Sequence, residues 1–324
     1  MKIKEITISE WESLWPLCEE DNLLQSWFYG KAKEKSDGVN ILYYSFSLDN
    51  SNIALAQILI KKIPFLGRVA RLNRGPIFLI KQNHHQKIIN MDKILRLIVL
   101  NCKESKIWML QAAPEIIPDK KVSESLENSG FYKIQKSSWA SGLINLTPDE
   151  DTLLMSLNGK WRNCYRKSLK LEVKISRVEN SFENINKLIV DYKKHQLSKD
   201  FAGLTDKLIN EMAFINHKEW KFNIFQAKIE SQKESIGSLV TIHHGKTSIY
   251  LIGTTNDLGR KYQANYSLIW NALLFAKNSG CQNFDIGGLD ETTPKGIAHF
   301  KKGLNAESYK LTGEWRKFIF PSFF

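Results

Sequence analysis

The sequence predicts an α+β protein made of two similar units, and three observations lead there. The chain has 324 residues, and at roughly 100–200 residues per domain that length favours two domains. Each half carries strand-like runs followed by a helix, a short buried strand, a loop and a second helix. The 43% hydrophobic share, with 11% aromatics, is enough to build cores, and a 25% charged fraction is ordinary for a globular chain. Such a composition excludes a disordered or collagen-like polymer. The apolar runs are too short for a bilayer span, which takes roughly 18 residues; the best, Ile53 to Ile60, stops at Lys61 and Lys62. The N-terminal MKIKEITISEW has acidic residues and no apolar stretch, so no secretory signal is expected.

The elements can be justified in order. Ser9 and Glu12 read as a capping box, followed by Trp11, Leu14, Trp15 and Cys18 at helical spacing. The aromatic and basic stretch LLQSWFYGKAKEKSDG turns at Asp37-Gly38. Val39 to Ser47 and Ile53 to Ile63 read as strands joined by the turn segment LDNSN. VARLNRGPIFLI is a strand broken at Arg74-Gly75-Pro76. A helix from about Met91 to Ser105, a buried strand Ile107 to Gln111 and a helix VSESLENSG ending at Gly130 complete the first unit. The second starts near Thr147-Pro148, with Thr147 as N-cap, proline at the first helical position and acids in the first turn.

Beyond the basic tract NGKWRNCYRKSLK come the strand VKISRV, a helix from Phe182 to Gln196 and another from about Thr205. The strands Phe222 to Glu230, Ile236 to His244 and Thr247 to Thr254 read as an antiparallel meander. A helix from Tyr266 to Ser279 then feeds the buried strand in CQNFDIGG, the loop LDETTPKG and a helix HFKKGL. The helix–strand–loop–helix order matches that of the first half. The boundary falls near Leu146: residues 1–146, completed by about 306–324, form the first unit, and 147–305 the second.

Several kinds of chemistry lack their motifs. There is no G-x-S-x-G elbow, no G-x-x-x-x-G-K-[ST] loop and no H-E-x-x-H. Cys18, Cys102, Cys164 and Cys281 form no C-x-x-C pair and read as reduced cytoplasmic thiols. His84-His85 and His243-His244 are adjacent, so on a strand each pair faces opposite sides and cannot share a metal. No metal site is expected. Cys164 sits between Arg162 and Arg166, neighbours that lower a thiol pKa, but no histidine is near in sequence, and a helix-face cysteine is usually structural.

Two stretches carry chemistry. With 46 Lys+Arg against 34 Asp+Glu, the net charge of +12 points to a phosphate-bearing partner or a Lys-rich solvated surface. Lys160, Arg162, Arg166, Lys167 and Lys170 interleave with Trp161 and Tyr165. On a helix, Arg162, Arg166 and Lys170 share one side, suited to phosphates, with the aromatics either stacking on a base or packed inward. In FDIGGLDETTPKGIAHFKKG, Asp285 ends a buried strand and Gly287-Gly288 allow close backbone approach. A helix then presents Phe300, Lys301 and Lys302. Lys301 either stabilises a developing oxyanion or complements a helix C-terminus.

These residues carry a resemblance. QSWFYGKAK at 25–33, RGP at 74–76, KWRNCYRKSLKLEVKI at 160–175, IYLIGTT at 249–255 and FDIGGLD with HFKKG within 284–303 occur in the order found in the Fem family of peptidoglycan-bridge aminoacyltransferases, which the chain resembles over nearly its whole length. The resemblance implies two N-acetyltransferase-like (GNAT) domains packed side by side with a cleft between, the chain's end returning to the first. It also implies transfer of an amino acid from aminoacyl-tRNA to an amino group of a peptidoglycan precursor. It gives Lys301, after Phe300, the role of stabilising the tetrahedral intermediate. Lys31 or Lys33 would hold the precursor's diphosphate. Arg74, Tyr250, Tyr266 and Asp285 would line the substrate site, and the tract Lys160 to Lys170 would meet tRNA phosphates. Aminoacyl-tRNA is then a co-substrate and no cofactor is needed. A cytoplasmic monomer with peripheral contact to the inner membrane surface is expected.

The sequence also departs from the family. The first unit's buried strand runs into Ala112-Ala113-Pro114 where some members carry an acid, FAGLTDK stands where an assisting arginine is expected, and Val173 to Leu208 leaves no room for a helical arm. Two other readings stay open. One is an acyl-CoA-dependent N-acyltransferase acting on an amino sugar or other amine of a cell-envelope polysaccharide. It is weakened by NDLGRKYQANYSL, where Gln263-Ala264-Asn265 replaces the glycines of a pyrophosphate turn. The other is a non-catalytic RNA- or membrane-binding protein, to which the aromatic tail FIFPSFF could contribute.

Overall fold

A computed structural model describes residues 1–65, 67–134 and 138–320. The first elements are β1 (Lys2–Glu5), α1 (Ile8–Leu14), α2 (Trp27–Asp37), β2 (Asn40–Leu48), β3 (Ser51–Ile63), β4 (Gly67–Asn73), β5 (Ile77–Phe78), α3 (His84–Glu104), β6 (Ile107–Ala113), α4 (Lys120–Asn128) and β7 (Tyr132–Lys133). Next come β8 (Ala140–Asn145), α5 (Glu150–Ser156), α6 (Gly159–Lys170), β9 (Lys174–Val178), α7 (Phe182–Lys199), α8 (Asp206–Ala213), β10 (Lys221–Lys228), β11 (Gly237–His243) and β12 (Thr247–Thr255). The last are α9 (Asp257–Lys261), α10 (Ala264–Asn278), β13 (Asn283–Asp285), α11 (Lys295–Lys302), β14 (Glu307–Lys310) and β15 (Trp315–Phe318). The chain divides into a unit of Met1–Trp139 with Lys310–Phe324 and a unit of Ala140–Tyr309.

The first unit is an eight-stranded sheet ordered β1-β2-β3-β4-β6-β15-β7, with β5 on β3. β2 and β3 meet through a two-residue turn, Leu48 pairing with Ser51. Asp49 and Asn50 both take positive φ there, as a twist-matched hairpin turn requires and as Asp and Asn tolerate. Ile53 to Ile60 is buried without interruption, the pattern of a strand covered on both faces. Ala54, Ala56, Ile58 and Ile60 share a core with Met91, Ile94, Leu95 and Ile98 of α3. Leu55 belongs to a second core with Trp11 and Trp15, where Trp27 packs as well.

The second unit is a seven-stranded sheet ordered β14-β8-β13-β12-β11-β10-β9. Its meander β10-β11-β12 is antiparallel throughout. Phe225 and Leu239 share a core with Leu268, Ile269 and Leu273 of α10. One irregularity matters for the site: Thr241 pairs with Tyr250 and Val240 with Ile252, leaving Leu251 as an extra residue. That β-bulge shifts the strand's alternation by one. β12 and β13 then pair in parallel only from Thr247 to Ile249. Beyond Ile249 the two strands part.

The structure adjusts several sequence readings. The first capping box is Thr7 with Glu10, whose side chain and backbone satisfy each other; Ser9 and Glu12 lie inside the helix. The cap of α5 is Asp149, whose carboxylate accepts the Thr152 N–H at 2.8 Å, so Thr147 and Pro148 precede the helix. His84-His85 open α3, not a strand. β8 pairs with β13, which brings residues 140–146 into the second unit. The C-terminal stretch is shared: β14 lies beside β8, and β15 inserts between β6 and β7. Phe323 and Phe324, in the aromatic tail, lie outside the described residues. Among the described residues no helix is long and apolar enough to cross a membrane.

Candidate active site

Lys301 occupies the gap where β12 and β13 part. It lies in the last turn of α11 and is 5% exposed. Its Nζ donates to the Gly288 carbonyl at 3.2 Å and stands 4.8 Å from the centroid of the Tyr250 ring. Burial pushes the ammonium pKa down to about 8, while Asp285 and Asp290 pull it back up. A cation so placed is underpaired, a costly state for a buried charge.

The backbone beneath Lys301 is held by Asp285. This buried carboxylate accepts from the Ser141 hydroxyl, from the Gly287 N–H at 2.7 Å and from the Tyr309 hydroxyl at 2.8 Å. The Ser141 hydroxyl also lies 2.8 Å from the Gly287 carbonyl. Gly287 has φ +72, and a Cβ there would sit 2.7 Å from the Tyr250 carbonyl oxygen and 3.2 Å from Lys301 Nζ. Only glycine fits. On β12 the bulge puts Tyr250 and Gly253 on one side, and a Cβ on Gly253 would collide with the Tyr250 hydroxyl at 1.7 Å. Burial raises the Tyr250 phenol pKa, so its hydroxyl stays protonated at neutral pH.

Phe300 works behind the lysine. Its ring lies 5.1 Å from Tyr266, edge to face, and 6.3 Å from Trp161. Trp161 also meets Tyr266 at 5.1 Å. Such edge-to-face contacts add roughly 0.5–1.5 kcal/mol each beyond area burial. The cluster ties α11 to α6 and α10, and the Asn158 N–H donates to the Gly303 carbonyl at 3.0 Å. Burial and a hydrogen bond with Cys164 push the Tyr266 pKa up to about 12.

The basic tract divides. Trp161 is 3% exposed and packed against Phe300, which is the inward-packed of the two arrangements the sequence left open. Arg162 turns back to donate to the carbonyls of Met155 and of Leu157, the latter at 3.0 Å, so it caps the end of α5. Lys160, Arg166, Lys167 and Lys170 are exposed.

The first unit's candidates are more occupied. Lys31 and Lys33 lie on α2 and pair with Glu34 at 2.7 Å and with Asp37. Arg74, 6% exposed, grips Glu115 with two parallel bonds of 2.7 and 2.6 Å. Its guanidinium also faces the Trp139 ring at 5.7 Å. The fork that would bind a substrate anion is thus filled by the protein's own carboxylate.

The structure therefore brings Lys301, Phe300, Tyr250, Tyr266 and Asp285 together in the second unit and holds Lys31, Lys33 and Arg74 in the first. Sequence reasoning missed Ser141, Gly253, Tyr309 and Glu115. Gly253 had a signal, since a glycine inside a strand marks close approach. Ser141 meets Asp285 across 144 positions, which no local pattern reveals. A further cavity of about 380 Å³ opens between α7, the start of β11 and α9, lined by Lys187, Lys194, His195, Ser238, Thr254 and Arg260. Thr254 and Thr255 of the IYLIGTT stretch and Asn256, Asp257 and Arg260 of NDLGRKYQANYSL line it, but none of the candidate site residues does.

A bulged meander whose strands part beside a buried lysine leaves one underpaired cation at the end of a parallel strand pair. Comparison with known proteins supplies the class. The FemAB family model matches residues 163–324, half of the chain. The lipid II:glycine glycyltransferase of Staphylococcus saprophyticus is 21% identical over 327 residues, covering 78% of this chain and 76% of that protein. The crystal structure of FemX superposes with a TM-score of 0.82 at 16% identity, covering 98% of this chain and 97% of that one. A tandem GNAT protein of the clavulanic acid pathway gives 0.57 at 7% identity over 99% of both chains. The chain belongs to the FemAB family, and its fold is that of twin N-acetyltransferase-like domains.

Proposed function

We propose that the protein transfers an amino acid from aminoacyl-tRNA to an amino group on the peptide of a peptidoglycan precursor. The observation that carries this reading is Lys301, an ammonium buried where β12 and β13 part, with one hydrogen bond, to Gly288. The acceptor amine attacks the ester carbonyl, and the carbonyl oxygen becomes an oxyanion. Lys301 pairs with that oxyanion. Collapse forms the amide and expels the ribose oxygen of the tRNA, which leaves with a proton while the attacking nitrogen loses one. Stabilising developing charge is worth about 10²–10³ in rate for a single donor, and holding both substrates in line supplies much of the rest. The reaction needs no metal or resident cofactor. The family membership and the glycyltransferase relative support the acceptor class, and the exposed cations of α6 fit the phosphates of a tRNA.

One observation keeps acyl-CoA as a rival donor. The N-cap of α10, Gln263, makes no side-chain hydrogen bond to the helix, which leaves N–H groups free for a phosphate. Incubation with charged tRNA or labelled acetyl-CoA, each with amine acceptors, separates the two. Transfer from tRNA alone is expected. Transfer from CoA alone would overturn the reading.

A further inference from the structure

At one end of the first unit's sheet, aromatic side chains stand in solvent among cations. The β3–β4 hairpin ends there, with Phe65 at its tip fully exposed at 109% and Pro64 exposed beside it. Lys61, Lys62 and Arg68 flank the tip and are exposed. The register continues this end laterally. Arg68 pairs with Ile107 at the start of β6, and Phe318 at the end of β15 pairs with Met109. Trp108 and Phe318 stack with centroids 5.8 Å apart at 5°, and Tyr132 of β7 lies 5.9 Å from Phe318. Phe318 is 40%, Tyr132 42% and Phe320 78% exposed. Arg68 bonds the Ser105 carbonyl, which brings the exposed Lys103 and Lys106 to the same edge. Glu104 is the acid among them.

We infer that this end of the first unit docks on an anionic lipid bilayer, with Phe65 entering the interface and the cations resting on the head groups. The chemistry is specific to that occupant. An aromatic with no packing partner at the tip of a β-hairpin has its apolar face in water, and the interfacial zone of a bilayer accepts such rings. The lysines and arginine around it match a negative surface. A protein partner would need both a pocket for Phe65 and an acidic rim matched to five cations. Duplex RNA stems would use the cations but offer no apolar layer for a ring at a hairpin tip. Docking of this kind deepens the proposed reaction, because a lipid-linked acceptor lies at such a surface. Binding is read without turnover, so its failure would leave the transfer reading untouched.

The test is co-sedimentation of the purified protein with vesicles of phosphatidylcholine alone or with 30% phosphatidylglycerol, a composition chosen on the order of biological anionic content. Wild-type protein is expected to pellet with the anionic vesicles and to be released at high salt. Lys61→Glu with Lys62→Glu should weaken binding by roughly 30-fold or more, and Phe65→Ser by roughly tenfold. Both variants alter exposed residues, so circular dichroism and transfer to a water-soluble acceptor should be unchanged. Failure of the wild type to pellet with anionic vesicles would overturn the proposal. So would full binding by Phe65→Ser, which would mean adsorption without insertion. Loss of tRNA affinity in the lysine variant with vesicle binding intact would reassign the patch to nucleic acid and overturn it as well.

Discussion

Each unit buries a cation near the end of its parallel strand pair, from a different element, and finishes it differently. In the first, a helix feeds β6, and just past its end Glu115 closes on Arg74 with two short bonds. In the second, a helix feeds β13, and just past its end Gly287-Gly288 run beneath Lys301, which has one carbonyl for a partner. Arg74 is a completed ion pair. Lys301 is an incomplete one. The lesson is that two units with the same parallel pair can place a buried cation near its end from different elements, Arg74 just past β4 and Lys301 on α11, and that counting partners separates a closed ion pair from an open one.

Breaking the closed pair should have the largest effect. Glu115→Ala strands the Arg74 guanidinium in the interior and should cost about 3–5 kcal/mol of stability, read by denaturant unfolding of the intact chain. Lys301→Met removes the open charge instead. It should lower kcat by about 10²–10³-fold while leaving donor binding nearly unchanged. A destabilising Lys301→Met with near-normal turnover would reverse the comparison. Gly253→Ala is next. Its methyl displaces the Tyr250 ring from beneath Lys301, so kcat should fall about tenfold or more, with a smaller change in unfolding.

The pH dependence sharpens the same contrast. In the proposed reaction Lys301 must be protonated to meet the oxyanion, and burial lowers its pKa from 10.5 to about 8. Initial rates should therefore fall as pH rises through 8, by about tenfold at pH 9. The stability sign is the opposite of the usual paired lysine. The folded pKa lies below the unfolded one, so protonation of Lys301 opposes folding below pH 8 and this burden is relieved as pH rises toward 10.5. Lys301→Met should accordingly cost no stability at pH 7. The smallest effect belongs to α6. Arg166→Ala should reduce the slope of log affinity for tRNA against log salt by about 0.9. Arg162→Ala should loosen the end of α5 and leave that slope nearly unchanged, since its guanidinium bonds Met155 and Leu157.

Much of this was legible from local pattern. The meander, the α10 helix and the F-D-I-G-G strand end follow from alternation, helical spacing and glycine punctuation, all short-range properties. Lys301 drew attention because it sits near the end of a helix that follows a buried strand and a double glycine; its place beside Gly288 and Tyr250 came from the fold. What stayed hidden depends on distant pairing. Glu115 as the partner of Arg74 needs β4 and β6 to lie side by side, and Ser141 needs β8 to reach β13. The inward turn of Trp161 was undecided because an amphipathic basic helix presents tryptophan equally well to a core or to a ligand until its neighbours are known. Capping shifted by a residue or two at α1 and α5 because Thr, Ser and Asp compete for one role, and only geometry chooses among them.

The placement of β15 between β6 and β7 has a consequence for how the protein is made. The second unit is contiguous in sequence and can form as soon as its residues leave the ribosome. The first unit emerges earlier, yet its sheet stays split between β6 and β7 until Trp315–Phe318 have been synthesised. The usual N-terminal-first order of domain folding is therefore inverted, and the older half of the nascent chain waits on the newest. Ribosome-stalled chains ending before Trp315 should hold a protease-resistant second unit beside a first unit that is still cleavable.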